Sequence, residues 1–411
     1  MAELNLTRQE GLSCLLEGSS PGNPALLAET SVALAPLTDF LTRQYLDFYI
    51  PAGGSKIKLI TGLRGSGKTF FAESMLSRAQ QRQYRTVTIS ARRVWLHDFR
   101  EVYLEILRQC DLEDVLRDCA AQIIRGMGYD PASIPEGKKL MDVLADRGEG
   151  DAFSRGEIRD ALRKNFTRNP RLDNTFANCC SLLVGDLLGY PVLESAYRDL
   201  LLRWMYGDKS VRVAQMKALG LSPAKITKYN ARHMLRSLAE TVRMGGRPGL
   251  MIVIDDLEHL ISPAAEDSIR YTKGRREDTY ESIRQLIDDI DSMRHILFFL
   301  CMDRELMDND SVGLKSYQAL WLRVQNEVVS TRFNSFADIV DMDRYADENL
   351  GETDMVALSE KLARTLRETG ADLVPLTAED ARQMKARAVF GKLGLPWLVN
   401  RFTVEGGNSH A

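Results

Sequence analysis

Hydrophobic positions along the chain follow two periods. Short aliphatic and β-branched runs occupy 56–61 (KIKLIT), 85–90 (RTVTIS), 249–256 (GLMIVIDD), 295–303 (HILFFLCMD) and 336–343 (FADIVDMD). Each predicts a strand, because the run is shorter than a helix needs and is bounded by turn-forming or charged residues. Met251, Ile252, Val253 and Ile254 follow one another without a polar interruption, as in a parallel strand buried on both faces. Elsewhere apolar residues recur at three- and four-residue spacing. Residues 1–50 read as helical, with Leu37, Phe40, Leu41, Tyr45 and Phe48 on one broad face, until PAGGS (51–55) stops the helix. A helix is expected from Lys68 to Gln81, and another carries Tyr280, Ile283, Leu286, Ile287 and Ile290 as one stripe. From about 98 to 245 the pattern is helical throughout, as in FREVYLEILRQC (99–110) and YRDLLLRWMYG (197–207), and it is helical again beyond 344. There is no internal repeat.

Strands alternating with helices predict an α/β fold with a parallel sheet. The junction of the first strand and its helix reads GLRGSGKT, that is Gly62, Leu63, Arg64, Gly65, Ser66, Gly67, Lys68 and Thr69, continued by Phe70. This fits the P-loop pattern G-x-x-x-x-G-K-[ST] in its strand–turn–helix context. Glycines let the backbone wrap round a phosphate, and the helix beginning there adds its positive end. Lys68 is expected on the β- and γ-phosphates of ATP, and Thr69 on Mg²⁺. The expected fold is therefore a P-loop NTPase core of about five parallel strands. Its divisions are an N-terminal helical segment (1–50), a core in two parts (51–97 and 247–343), a helical insertion (98–246) and a C-terminal helical lid (344–411).

A P-loop requires a carboxylate at the end of a neighbouring strand, and Asp255 ends one. Its plainer role would be to cap the next helix. Asp256 occupies the place where hydrolytic P-loop proteins with an extra strand between the motifs usually carry a glutamate as general base. Aspartate is one methylene shorter, and about 1 Å of misplacement can cost roughly 100-fold in rate. Glu258, two residues on, is the alternative base. RTVTIS lies between the two motifs in the chain, which favours the AAA+/STAND branch over a Ras-like GTPase. No N-K-x-D guanine signature is present, so adenine is expected. Asp303 ends its strand as a γ-phosphate sensor or a simple loop residue. Arg323, Arg332 and Arg344 are each an arginine finger toward a neighbouring subunit or a solvated charge. ARRVWLHDF (91–99) brings Arg92, Arg93 and Trp95, which either line a central pore or pack on the helical insertion; YTKGRRE (271–277) is a second small basic cluster.

Composition narrows the partners. Lys+Arg 54 against Asp+Glu 57 gives a net charge of −3, which is not the footprint of a basic nucleic-acid binder. Six cysteines without C-x-x-C spacing and scattered histidines argue against zinc or a disulfide framework. The N-terminus lacks a basic segment followed by an apolar core, and no run reaches membrane-spanning length. A cytoplasmic location without membrane contact is expected.

Five segments, GLRGSGKTFF (62–71), LHDFREVYLEIL (96–107), LLRWMYGD (201–208), GLMIVIDDLEHL (249–260) and GLKSYQALWLRV (313–324), resemble the P-loop ATP-binding proteins of bacterial BREX anti-phage defence systems. The resemblance runs from about 35 to 345. It implies an AAA+/STAND-like ATPase working with other proteins of a defence system on DNA, with a homo-oligomer and direct or partner-mediated DNA contact both open. It carries Gly62, Gly67, Lys68 and Thr69 over as nucleotide and magnesium binders and Asp255 as the second metal-associated carboxylate. Two departures stand out. The family usually shows Asp-Glu where this chain has Asp255-Asp256. In GLPWLVNRF (394–402), which looks like the lid segment, Trp397 follows proline where relatives often have arginine, and Arg401 comes later, so the second sensor is unassigned. Little chain follows the lid, so no winged-helix domain is expected beyond it.

Overall fold

The computed structural model describes residues 4–221, 224–262, 268–325, 333–388 and 393–406. Five strands, β1 (Ser55–Gly62), β2 (Arg85–Ser90), β3 (Leu250–Asp255), β4 (Ile296–Asp303) and β5 (Ile339–Asp341), form one parallel sheet in the order β2-β3-β4-β1-β5. The strand that separates β1 from β3 in space is β4. RTVTIS, which lies between them in the chain, is at the sheet edge instead. FADIVDMD shortens to three paired residues at the opposite edge.

Side chains alternate between the two faces of the sheet. Ile57, Leu59, Ile252, Ile254, Phe298 and Leu300 belong to one core, whose other wall is built by the helices between β2 and β3 and by the helix Lys273–Asp289. Ile60, Met251, Val253, Phe299 and Cys301 belong to the other, packed on the helix Lys68–Gln81 and the N-terminal helices. A strand covered on both faces has no solvated side to keep polar, which explains the unbroken apolar runs.

The stretch 37–50 departs from the expected single face. Its first part, Ala35–Leu41, is α-helical, and Thr42–Tyr49 is a π-helix. Leu37, Leu41, Tyr45, Leu46 and Ile50 are buried, whereas Phe48 is 70% exposed and Phe40 half-buried. The wider π turn rotates the later positions, so a 3.6-residue period assigns Phe48 to the wrong face.

N- and C-terminal helices share small cores. Leu12, Leu15 and Leu26 pack with Leu362, Ala363 and Leu366, while Ala346, Met355, Leu395 and Val399 form an adjoining cluster. Among the described residues no helix is long and apolar enough to cross a membrane.

Candidate nucleotide site

Register brings the polar strand ends to one level. Gly62 of β1 pairs with Asp303 of β4, and Ser90 of β2 with Asp255 of β3. The crevice beyond the carboxyl ends of parallel strands is where open α/β sheets bind ligands.

The P-loop crosses this crevice. Gly65 and Gly67 have φ of +80° and +88°, a left-handed conformation glycine adopts without strain. Gly67 starts the helix Lys68–Gln81 without any side-chain cap, so no side chain of its own occupies the first-turn amides. Ser66 Oγ is buried without a hydrogen-bond partner. Lys68 Nζ donates to Gly62 O (3.2 Å), Leu63 O (2.8 Å) and Asp303 Oδ1 (2.7 Å). Asp303 is thus no bystander in a loop. It holds the lysine where a phosphate oxygen would, which leads to an expected result: Asp303→Asn should tighten Mg·ATP binding by roughly three- to tenfold in calorimetric titration, since one competing charge is gone. Unchanged or weaker binding would mean that the carboxylate helps the nucleotide rather than competing with it.

The adjacent aspartates have separate partners. Thr69 Oγ1 donates to Asp255 Oδ2 at 3.1 Å, so hydroxyl and carboxylate converge. Burial pushes the Asp255 carboxyl up from its usual range. Asp256 adopts φ +60°, its N–H donating to Asp255 Oδ1 (2.9 Å). Its own carboxylate turns to the end of β2, accepting from Ser90 Oγ at 2.5 Å and pairing with Arg92 Nε at 3.4 Å. Glu258 is half-buried; desolvation, and then the charge of Asp303, raise its carboxyl to about 7. Of these carboxylates, Asp303 alone is bonded to Lys68 among the contacts described. Thr69 and Asp255 together offer a hydroxyl and a carboxylate, hard oxygen donors of the kind Mg²⁺ takes.

A cavity of about 420 Å³ continues from residues 64–70 between the N-terminal segment and the C-terminal helices. Val32, Leu34, Tyr345, Leu358 and Leu362 also line it. The C-terminal segment rests on the P-loop: Gly394 N donates to Arg64 O (2.8 Å) and Trp397 N to Gly65 O (3.2 Å). A Cβ on Gly394 would stand 2.3 Å from Ser66 N, and one on Gly65 would stand 2.4 Å from Trp397 Cβ.

Some singled-out residues lie elsewhere. Arg323 is tied to Asp288 (2.9 and 3.2 Å) and to Ala319 O, apart from the P-loop cluster. Arg344 is exposed on the first turn after β5, and Arg332 lies outside the described residues. Arg401 donates to Leu16 O and pairs with Glu405. Trp95 packs on Tyr271 (centroids 5.7 Å) beneath Arg275 (4.1 Å), so the two basic clusters meet each other.

Sequence reasoning missed three supports. Asp343 Oδ2 accepts from Leu63 N (2.7 Å) and from Arg304, which also binds Asp341. Glu73, buried in the P-loop helix, accepts from Ser20 Oγ (2.5 Å) and Gly22 N (3.0 Å) and so anchors a segment lining the cavity. Ser90 is the third. The only available signal was local: charged residues immediately after two apolar runs, and a lone glutamate on an otherwise apolar helix face.

Sheet, loop and converging carboxylates are compatible with a P-loop NTPase core. The chain belongs to the family of BREX system ATP-binding proteins BrxC/D, whose family model matches residues 30–127 and 158–399. Membership implies ATP binding within a defence system. No curated protein and no solved structure matches the chain.

Proposed function

We propose that this protein is an AAA+/STAND-like ATPase that hydrolyses ATP with Mg²⁺ and uses the cycle to assemble or remodel a defence complex acting on DNA. One observation carries the reading. Lys68, the Thr69–Asp255 pair and a Glu258 carboxyl raised to about 7 meet at the ends of β1, β3 and β4. A strand between the P-loop strand and the Asp255 strand supports the same branch.

In this reading the amides from Gly65 to Thr69 and the Lys68 ammonium hold the β- and γ-phosphates. Thr69 and Asp255 hold the metal, which supplies charge neutralisation when bound. Glu258 takes the proton of the attacking water, since a base titrating near the working pH is the efficient one. The C-terminal helices form a lid over the base, and Arg323 acts only toward a neighbouring copy, if the protein oligomerises.

The clamp on Asp256 favours a second reading, a nucleotide-gated scaffold that binds ATP and turns it over little. Phosphate release by the purified chain with Mg·ATP separates them. Steady release well above background is expected, and binding without release, even with DNA and partner proteins present, would leave only the scaffold.

A further inference from the structure

Glu73 lies one turn beyond Thr69 on the helix Lys68–Gln81 and is 1% exposed. Glutamates are almost never buried this deeply unless they are bonded. Two donors to it come from one short stretch, Ser20 Oγ at 2.5 Å and Gly22 N at 3.0 Å. Residues 17–20 of that stretch line the same cavity as the P-loop. The C-terminal helix Leu395–Gly406 meets the start of the stretch: Arg401 Nη1 donates to Leu16 O at 2.9 Å, and a Cβ on Gly18 would stand 2.8 Å from Trp397 Nε1. Residues 17–22 therefore form a strap between the helices Arg8–Leu16 and Pro24–Thr30, fixed to the C-terminal helix near its start and to the P-loop helix near its end.

Around the cavity, apolar Val32, Leu358 and Leu362 stand with the exposed polar residues Glu17 and Ser19 of the strap. Such a mixed lining suits a sugar that offers hydroxyls and a flat base that offers apolar faces. It does not suit further phosphate, because the Glu17 carboxylate repels an anion. We propose that Glu73 is a positioning residue for the nucleoside part of the ligand. It touches no ligand atom itself. It fixes the strap to the helix that carries Lys68 and Thr69, so the groups receiving sugar and base keep one distance from those holding the phosphates. The proposal rests on the nucleotide reading of the cavity.

Equilibrium binding of Mg·ATP and of Mg·tripolyphosphate, the phosphate chain without its nucleoside, tests it on the wild type beside Glu73→Leu and Glu73→Gln. Glu73→Leu is expected to weaken Mg·ATP roughly tenfold, the scale of one or two hydrogen bonds lost between strap and nucleoside. Mg·tripolyphosphate should change by less than about twofold. The glutamine oxygen can still accept from both donors, so Glu73→Gln should recover most of the ATP affinity. If Glu73→Leu does not fold, Ser20→Ala removes a donor from the strap side and should show the same split at a loss of about threefold. Equal weakening of both ligands would overturn the proposal, since the carboxylate then supports only the P-loop helix. So would variants that bind Mg·ATP as the wild type does. If the wild type binds neither ligand, the nucleotide reading itself falls.

Discussion

Lys68→Ala is expected to weaken Mg·ATP binding by roughly 10- to 100-fold and to remove phosphate release altogether. A charge-assisted hydrogen bond contributes about 1.5–3 kcal/mol, and the lysine is buried where those bonds are least screened. The expected loss exceeds that of an ordinary cation because of what surrounds it. Asp303 is bonded to Lys68, and its charge reaches Glu258, so removing the ammonium leaves an uncompensated carboxylate where an anionic ligand must enter. Titration with ATP alone and with Mg·ATP separates the two contributions. The variant should depend on magnesium more steeply than the wild type. ATP affinity within threefold of wild type would show that the P-loop amides suffice and that the lysine is not a phosphate ligand. A thermal melt must accompany the titration, because Lys68 also ties Gly62 and Leu63 to the loop.

Glu258→Gln carries the second large expectation. Hydrolysis should fall by 10²–10⁴-fold, the usual worth of a general base, while ATP affinity changes little. Asp256→Asn should cost less than about tenfold, because its carboxylate is engaged by Ser90 and Arg92 rather than facing Lys68. The reverse ranking would return the base role to Asp256. The pH dependence offers an independent check. Burial, and then Asp303, raise the Glu258 carboxyl to about 7. Only the ionised form accepts a proton, so kcat/KM should rise about tenfold per pH unit below about 7 and level off above it. In Glu258→Gln that limb should vanish from the residual rate. In Asp303→Asn it should move to lower pH, because a repelling charge has been removed.

The ranking of these carboxylates separates local from long-range information. The spacing G-x-x-x-x-G-K-T and an apolar run ending in aspartate were enough to single out Thr69 and Asp255, which the fold brings within a hydrogen bond. The same local reading set Asp256 beside Asp255 as a candidate base. Folding splits them: Asp256 takes φ +60° and turns toward β2, whose position beside β3 no local pattern reveals. Asp303 read as a sensor or, more simply, a loop residue until β4 was seen to lie directly beside β1, with Asp303 opposite Gly62.

Strands, the P-loop and the helical stretch between β2 and β3 follow from the sequence by itself, since hydrophobic period and glycine placement act over a few residues. Strand order, the partner of each carboxylate and the seating of Gly394 and Trp397 on the P-loop were decided by tertiary structure alone. Their physical reason is common. A hydrogen bond such as Lys68 to Asp303, or Asn400 to Leu15, joins residues hundreds of positions apart, and only the packed sheet and helices determine which of many chemically equivalent partners is within reach.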